Sequence, residues 1–185
     1  LTLVKEGMTD AVIFGPDGMN QQPSDVLYKK NILALRGSFR PVTKVNMDMF
    51  QKSYDIFIRE QTVDVENAIV VFEITLSNLK ASGEIDEQDF MDRAELLCSL
   101  GHTVLISKFQ EYYRLVEYFN NYTKAKIGLT MGVNNLIDVF DEKYLSLKLG
   151  YEVKIKDIGG KGTISLKYNG LEQLEEIISI FNDKK

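Results

Sequence analysis

At 185 residues, with 44% hydrophobic and 26% charged side chains, the chain has the composition of a globular protein with one medium domain, or one domain and a small appendage. A net charge of −5, from 22 basic and 27 acidic residues, argues against a surface built as a whole for nucleic acid or an anionic membrane, although a local basic patch is compatible with it. We find no apolar run long enough to span a membrane and no signal peptide, so we expect a cytoplasmic protein without membrane partners. The chain begins with Leu1 rather than Met, which leaves open that an upstream region is missing.

Apolar runs bounded by turn residues predict strands, and apolar spacings of three and four predict helices. Residues 19–25 are polar and are predicted to form a loop, and Asn46 is the expected N-cap of the first long helix. Because strands and helices alternate from about residue 30 to 144, we expect an α/β fold with a parallel, Rossmann-like sheet covered by helices on both faces. Strands are predicted over residues 10–14, 32–36, 68–75, 103–107 and 126–131, and helices over residues 46–58, 87–100, 110–121 and 133–144.

The C-terminal residues follow a different pattern. Residues 152–156 and 163–168 alternate between apolar and polar side chains on either side of a glycine-rich turn, which predicts a β-hairpin. A helix with one apolar stripe follows, so we divide the chain into an α/β domain, 1–148, and a ββα unit, 149–185. The ββα unit is too small to be stable alone and must pack on the α/β domain or on a second copy. The apolar stripe consists of Leu171, Leu174, Ile177, Ile178 and Phe181.

The loop after the second predicted strand has the properties of a phosphate-binding loop. Gly37 permits close backbone approach to a ligand, and the start of the next helix offers free N–H groups and the positive end of the helix dipole. Arg40 and Lys44 add cationic donors, so the loop favours a polyphosphate ligand. An ordinary turn between a strand and a helix is the alternative. The full segment reads Gly37-Ser38-Phe39-Arg40-Pro41-Val42-Thr43-Lys44-Val45-Asn46.

This loop resembles the nucleotidyltransferase superfamily of adenylyl- and cytidylyltransferases, in which Gly-x-Phe-Asp-Pro-(Val/Ile)-(His/Thr)-x-Gly-His follows the first strand. Met47 and Asp48 also fit the apolar-Asp pair of the pantetheine-phosphate branch. Residues 5–145 further resemble part of a longer bacterial family described as nicotinate-nucleotide adenylyltransferases, whose loop reads RGxFRPVT. The positions that match the superfamily signature are Gly37, Ser38, Phe39, Pro41, Val42 and Thr43.

The chain departs from the superfamily signature at three positions: Arg40 replaces Asp, Val45 replaces Gly, and Asn46 replaces the catalytic His. The Ser/Thr-rich triphosphate loop of the family has no convincing copy. Asn46 cannot carry the charge of an imidazolium, and loss of one transition-state donor typically lowers the rate on the order of 10²–10³-fold. The resemblance therefore implies nucleotide binding, with Mg²⁺ and ATP or CTP if the chain is active. It implies Asn46, Thr43 and Lys44 as catalytic residues and Gly37, Ser38, Phe39 and Arg40 as nucleotide-binding residues.

Residues from about 144 to 181 resemble the C-terminal dimerisation domain of ParB-type chromosome-partition proteins. The shared pattern is an LG pair, a V-x-I-x hairpin with a G-K-G turn, and a leucine-rich helix. This resemblance implies a homodimer whose hairpin lysines, here Lys154, Lys156 and Lys167, contact DNA weakly and without sequence preference. The ParB clamp and helix-turn-helix domains have no counterpart in the sequence, and a generic cap on the α/β domain is the alternative. The chain is thus either a nucleotide-binding domain or a non-enzymatic dimerisation and DNA-contacting module.

The other polar candidates favour structural roles. Cys98 is the only cysteine and lies in an apolar helical pattern, so it is predicted to be buried and no intramolecular disulfide can form. His102 is the only histidine, and a metal site built on it would lack a second His ligand, so we predict no metal site. Arg36, Glu73 and Thr75 lie at strand ends, where they either face a ligand or form polar groups in water.

Overall fold

The computed structural model describes residues 2–76, 87–132, 135–136, 142–158 and 161–182. The chain divides into two compact units, Leu1–Met131 and Gly132–Lys185, called here the body and the tail. None of the helices in these described ranges is long and apolar enough to cross a membrane.

The body contains a six-stranded sheet and five of the described helices. The strands are β1 Ala11–Phe14, β2 Asn20–Gln21, β3 Asn31–Arg36, β4 Ala68–Thr75, β5 Thr103–Ser107 and β6 Ile127–Thr130. The helices are α1 Thr2–Lys5, α2 Pro23–Leu27, α3 Lys44–Phe57, α4 Glu87–Ser99 and α5 Tyr112–Asn120, with a 3-10 turn at Val65–Asn67.

The strand order is β2-β1-β5-β4-β3-β6, and the four strands β5, β4, β3 and β6 are parallel. The predicted mixed α/β fold with a mostly parallel sheet is therefore confirmed. β1 is antiparallel to β5, and β2 is antiparallel to β1. The prediction of a loop over residues 19–25 is wrong, because this segment contains β2 and the start of α2. Both elements are too short to show a period in the sequence, although a Pro at the start of α2 is a common helix signal.

Helices cover both faces of the sheet. Successive strand residues point to opposite faces, and in β4 Phe72 belongs to one hydrophobic cluster whereas Val71 belongs to the other. The first cluster includes side chains of α3 and α4, among them the buried Cys98, and the second includes side chains of α2 and α5. The prediction for Cys98 is confirmed, and burial raises the pKa of its thiol.

The tail contains α6 Glu142–Leu149, β7 Val153–Ile158, β8 Lys161–Leu166 and α7 Leu171–Asn182. The strands pair antiparallel, which confirms the predicted hairpin. Residues 159–160 of its turn, and most of the helix predicted over residues 133–144, lie outside the described residues.

Helix α6 lies along the outer edge of β7. The Ser146 hydroxyl accepts a hydrogen bond from the Val153 backbone N–H at 2.9 Å, and the Glu142 carboxylate accepts one from the Ile155 N–H. Side chains of α6 therefore accept hydrogen bonds from those backbone N–H groups of β7 that point away from β8.

Candidate functional site

Phe39 anchors the loop after β3 in the core of the body. The Phe39 side chain is 2% exposed, and its ring centroid lies 5.4 Å from that of Phe72. A Cβ atom on Gly37 would lie 2.9 Å from the Phe39 ring, so glycine is needed here for the close approach of that ring. The carbonyl of Ser38 accepts a hydrogen bond from Arg93 Nη1 at 2.9 Å. Residues 37–39 are thus held by contacts within the body.

Thr43 and Asn46 form a capping box at the start of α3. The Thr43 hydroxyl accepts a hydrogen bond from the Asn46 N–H at 3.3 Å, and Asn46 Oδ1 accepts one from the Thr43 N–H at 2.9 Å. Asn46 Oδ1 also accepts from the Thr43 hydroxyl at 2.8 Å. The prediction of Asn46 as N-cap is wrong, because Thr43 is the N-cap and Asn46 is the third helical residue. The spacing of three between these two side chains is the sequence signal for a capping box.

The two cations predicted for this loop are both exposed. The Arg40 side chain is 55% exposed, and its Nε lies 3.5 Å from Asp89 Oδ2, which also pairs with Arg93 at 2.7 Å. Lys44 is the first residue of α3 and is exposed. The structure therefore brings Thr43 and Asn46 together and packs Phe39 against Gly37, whereas Arg40 is paired with an acid. Nucleotide binding by residues 37–40 and catalysis by residues 43, 44 and 46 stay predictions.

A buried polar cluster joins the carboxyl ends of β3, β4 and β5. Glu73 is fully buried, and Arg36 donates to both of its carboxylate oxygens through Nε and Nη2. The Ser107 hydroxyl donates to Glu73 Oε1. Burial raises the pKa of Glu73, against the opposing effects of the Arg36 charge and of the hydrogen bonds from Arg36 and Ser107. The sequence does not predict this cluster, because the cluster depends on the order of three strands that are distant in sequence.

The same cluster fixes the segment that follows β5. Arg36 Nη1 donates to the Gln110 carbonyl at 2.9 Å, and its guanidinium lies 4.4 Å from the centre of the Tyr112 ring. The Thr75 hydroxyl donates to the Phe109 carbonyl at 2.9 Å. The interpretation of these strand-end groups as polar side chains in water is therefore wrong for Glu73 and Thr75. Their partners are protein groups, which indicates a structural role.

His102 lies against two aromatic rings. Its ring centroid is 4.3 Å from that of Phe72 and 5.2 Å from that of Phe50. Burial lowers the pKa of this imidazole. Among the residues described by the structure, no group of three or more His, Cys, Asp or Glu side chains could hold a metal ion.

One face of the tail hairpin carries the three lysines predicted to contact DNA. Lys154 lies opposite Ser165 and Lys156 lies opposite Thr163, and the Lys167 N–H donates to the Glu152 carbonyl at 3.1 Å. Since directly opposite residues share a face, Lys154, Lys156 and Lys167 all lie on one side of the hairpin. We call this side the lysine face; the side chains of these three lysines are exposed.

Glu152 is the acidic residue of the lysine face. Its two carboxylate oxygens lie 3.4 Å from Lys154 Nζ and 3.5 Å from Lys167 Nζ. The hydrogen bond from Lys154 and the charges of both lysines lower the pKa of the Glu152 carboxyl. Lys154, Lys156, Lys167 and Glu152 together carry two net positive charges, counted over the side chains of this face that the structure describes.

The opposite, apolar face of the hairpin is only partly covered. Its cross-strand pairs are Val153 with Leu166 and Ile155 with Ile164. Val153 is 2% exposed and Ile177 of α7 is 7% exposed, so a small core exists. Several large side chains of the tail are nevertheless exposed to solvent, and we call them the exposed apolar set. They are Ile164 (64%), Tyr168 (46%), Leu171 (75%) and Ile178 (48%).

Residues 142–182 match the protein family described as the ParB dimerisation domain. The matched segment runs from the start of α6 to the end of α7, so the predicted resemblance of the tail is confirmed. No curated protein and no solved structure gives a significant match to the chain. The resemblance of the body to nucleotidyltransferases has no support from these comparisons.

Proposed function

We propose that the chain is a non-enzymatic assembly module whose tail joins two copies into a homodimer. The match of residues 142–182 to a dimerisation domain supports this proposal. The observation that carries it is the exposed apolar set, with Leu171 at 75% and Ile164 at 64% exposure. Burial of a Leu or Ile side chain contributes about 1.5–3 kcal/mol. A second tail that covers these side chains would supply the apolar partner that this small unit lacks.

The two edges of the hairpin differ, and the difference indicates which strand a second copy would pair with. Lys154 lies opposite Ser165, and the Lys167 N–H donates to Glu152, so the backbone groups of Ile164 and Leu166 point away from β7. Within the described part of the tail, these outward groups of β8 have no hydrogen-bond partner, whereas the outer edge of β7 is bound by α6.

An open strand edge is a template for pairing with another chain. A twofold dimer uses the same surface on both copies. We therefore infer that two β8 edges pair antiparallel across a twofold axis.

The second part of the proposal is weak, non-specific contact between the lysine face and DNA. Lys154, Lys156 and Lys167 are exposed on one side of the hairpin, and the dimer would present two such faces. The whole chain has a net charge of −5, so the attraction is local and binding is weak. Binding should fall steeply with salt, because phosphate contacts release counterions.

Sedimentation of matched variants tests the dimer. Ile178→Asp adds an unpaired charge to the exposed apolar set and is expected to shift the dimer to monomer while the tail stays folded. Val65→Asp is the control, because Val65 has the same 48% exposure but lies in the body. Dissociation by both variants, or by neither, would count against an interface on the tail.

A further inference from the structure

Glu152 holds two of the three lysines that the proposed DNA contact requires. It faces Lys167 across the hairpin and precedes Lys154 by two residues, so all three side chains lie on the lysine face. The ammonium–carboxylate distances are 3.4 Å to Lys154 and 3.5 Å to Lys167. Lys156, the third lysine, forms no ion pair with any residue that the structure describes. The three lysines are therefore not equivalent.

We propose that Glu152 is an autoinhibitory residue, an internal competitor that occupies Lys154 and Lys167 and must yield them to DNA phosphates. This inference rests on the DNA contact proposed above. It adds that one residue, Glu152, regulates that contact. A carboxylate and a phosphate are both anions that accept hydrogen bonds from an ammonium group. Each therefore competes for the same donors, and the Glu152 charge also repels an approaching phosphate.

The strength of the effect follows from the exposure of the three side chains. Their exposed fractions are 50% for Glu152, 65% for Lys154 and 70% for Lys167, so solvent and salt screen both pairs. Exposed pairs of this kind are weak. Loss of the carboxylate is accordingly expected to strengthen DNA binding about three- to tenfold at low salt, and less at physiological salt.

A ranking of the lysines follows from the same geometry. In the wild-type protein, Lys156→Ala should weaken DNA binding more than Lys154→Ala or Lys167→Ala, because Lys156 does not have to leave a carboxylate. In a Glu152→Gln background the three alanine variants should become similar. A face that binds DNA simply through its total charge would show three equal effects in both backgrounds.

The experiment is DNA binding of the full chain, measured by fluorescence anisotropy with a short duplex of mixed sequence over a range of salt concentrations. Glu152→Gln keeps the shape of the side chain and removes its charge. Glu95→Gln is the matched control, because Glu95 is an exposed residue of α4 and the net charge changes by the same amount. We expect a three- to tenfold gain for Glu152→Gln and less than about twofold for Glu95→Gln. We also expect a salt dependence that is steeper by up to about 0.9 in the logarithmic slope for each phosphate gained.

Equal gains in the two glutamine variants would overturn the proposal, since net charge alone would explain them. Absence of DNA binding by the wild type and both variants, in a protein that sediments as a dimer, would also overturn it but would leave the dimer standing. A monomeric wild type would count against the dimer itself. The pKa of Glu152, measured by NMR in the absence of DNA, should rise in Lys154→Ala and in Lys167→Ala if the two pairs exist in solution.

Discussion

Arg36 and Glu73 form a buried, two-pronged ion pair that joins the carboxyl ends of β3 and β4. The Arg36 side chain is 6% exposed and Glu73 is fully buried, so water cannot replace either partner. Removal of one partner of a buried pair typically lowers stability by about 3–5 kcal/mol, because the other charge is left uncompensated.

We therefore expect Arg36→Ala to lower the free energy of unfolding of the body by about 3–5 kcal/mol in urea titrations. Lys108→Ala serves as the control, because Lys108 pairs with Asp10 at 2.7 Å on the surface and should contribute less than about 1 kcal/mol. The Arg36→Met/Glu73→Leu double variant should be more stable than Arg36→Ala, since it removes both charges. Similar losses for Arg36→Ala and Lys108→Ala would contradict the assignment.

His102 predicts a pH dependence of stability. Burial lowers its pKa in the folded body below the value of about 6.5 that it has in an unfolded chain. Between these two values the unfolded state binds more protons, so stability falls as the pH drops below about 6.5. His102→Phe should abolish this contribution, and the difference between the two proteins isolates the imidazole. Identical pH profiles from pH 7 down to 5 would show that the ring is not desolvated.

The capping box of α3 predicts a coupled effect of two substitutions. Thr43→Ala removes the N-cap and is expected to lower stability by about 1 kcal/mol. Asn46→Ala removes the reciprocal acceptor. Because the two side chains bond to each other, the double variant should lose less than the sum of the single losses. Strict additivity in a double-mutant cycle would indicate that the box is not formed.

The resemblance of the loop to adenylyltransferases makes a prediction of its own. If residues 37–46 cradle phosphate, ATP or CTP with Mg²⁺ should raise the melting temperature, because a ligand of the native state stabilises it. Arg40→Ala should weaken that rise, since Arg40 is a cation of the loop with a 55% exposed side chain. An unchanged melting temperature at millimolar ATP or CTP would show that the loop does not bind nucleotide.

Local patterns predicted most of the elements. The apolar run of β4, Ala68–Thr75, and the alternation of the hairpin both gave strands that the structure contains. The antiparallel direction of β1 could not be predicted, because a strand's own residues do not specify the direction of its neighbour. The pairing of Arg36 with Glu73 likewise depends on strand order.

The surface of the tail shows a further limit. The helical period places Ile177 and Ile178 in one apolar stripe, but only packing decides which of them is covered. Ile177 is 7% exposed and belongs to the small core of the tail, whereas Ile178 is 48% exposed. A charge at Ile177 would therefore disturb the fold of the tail itself, and Ile178 is the position that probes an interface.

The mass of the wild-type protein in solution tests the central claim most directly. The chain has a mass of 21.1 kDa, and sedimentation equilibrium at micromolar concentration is expected to give twice that mass. A wild-type protein that sediments at 21.1 kDa even at high micromolar concentration would contradict the account, because the exposed apolar set and the open edge of β8 would then have no partner copy.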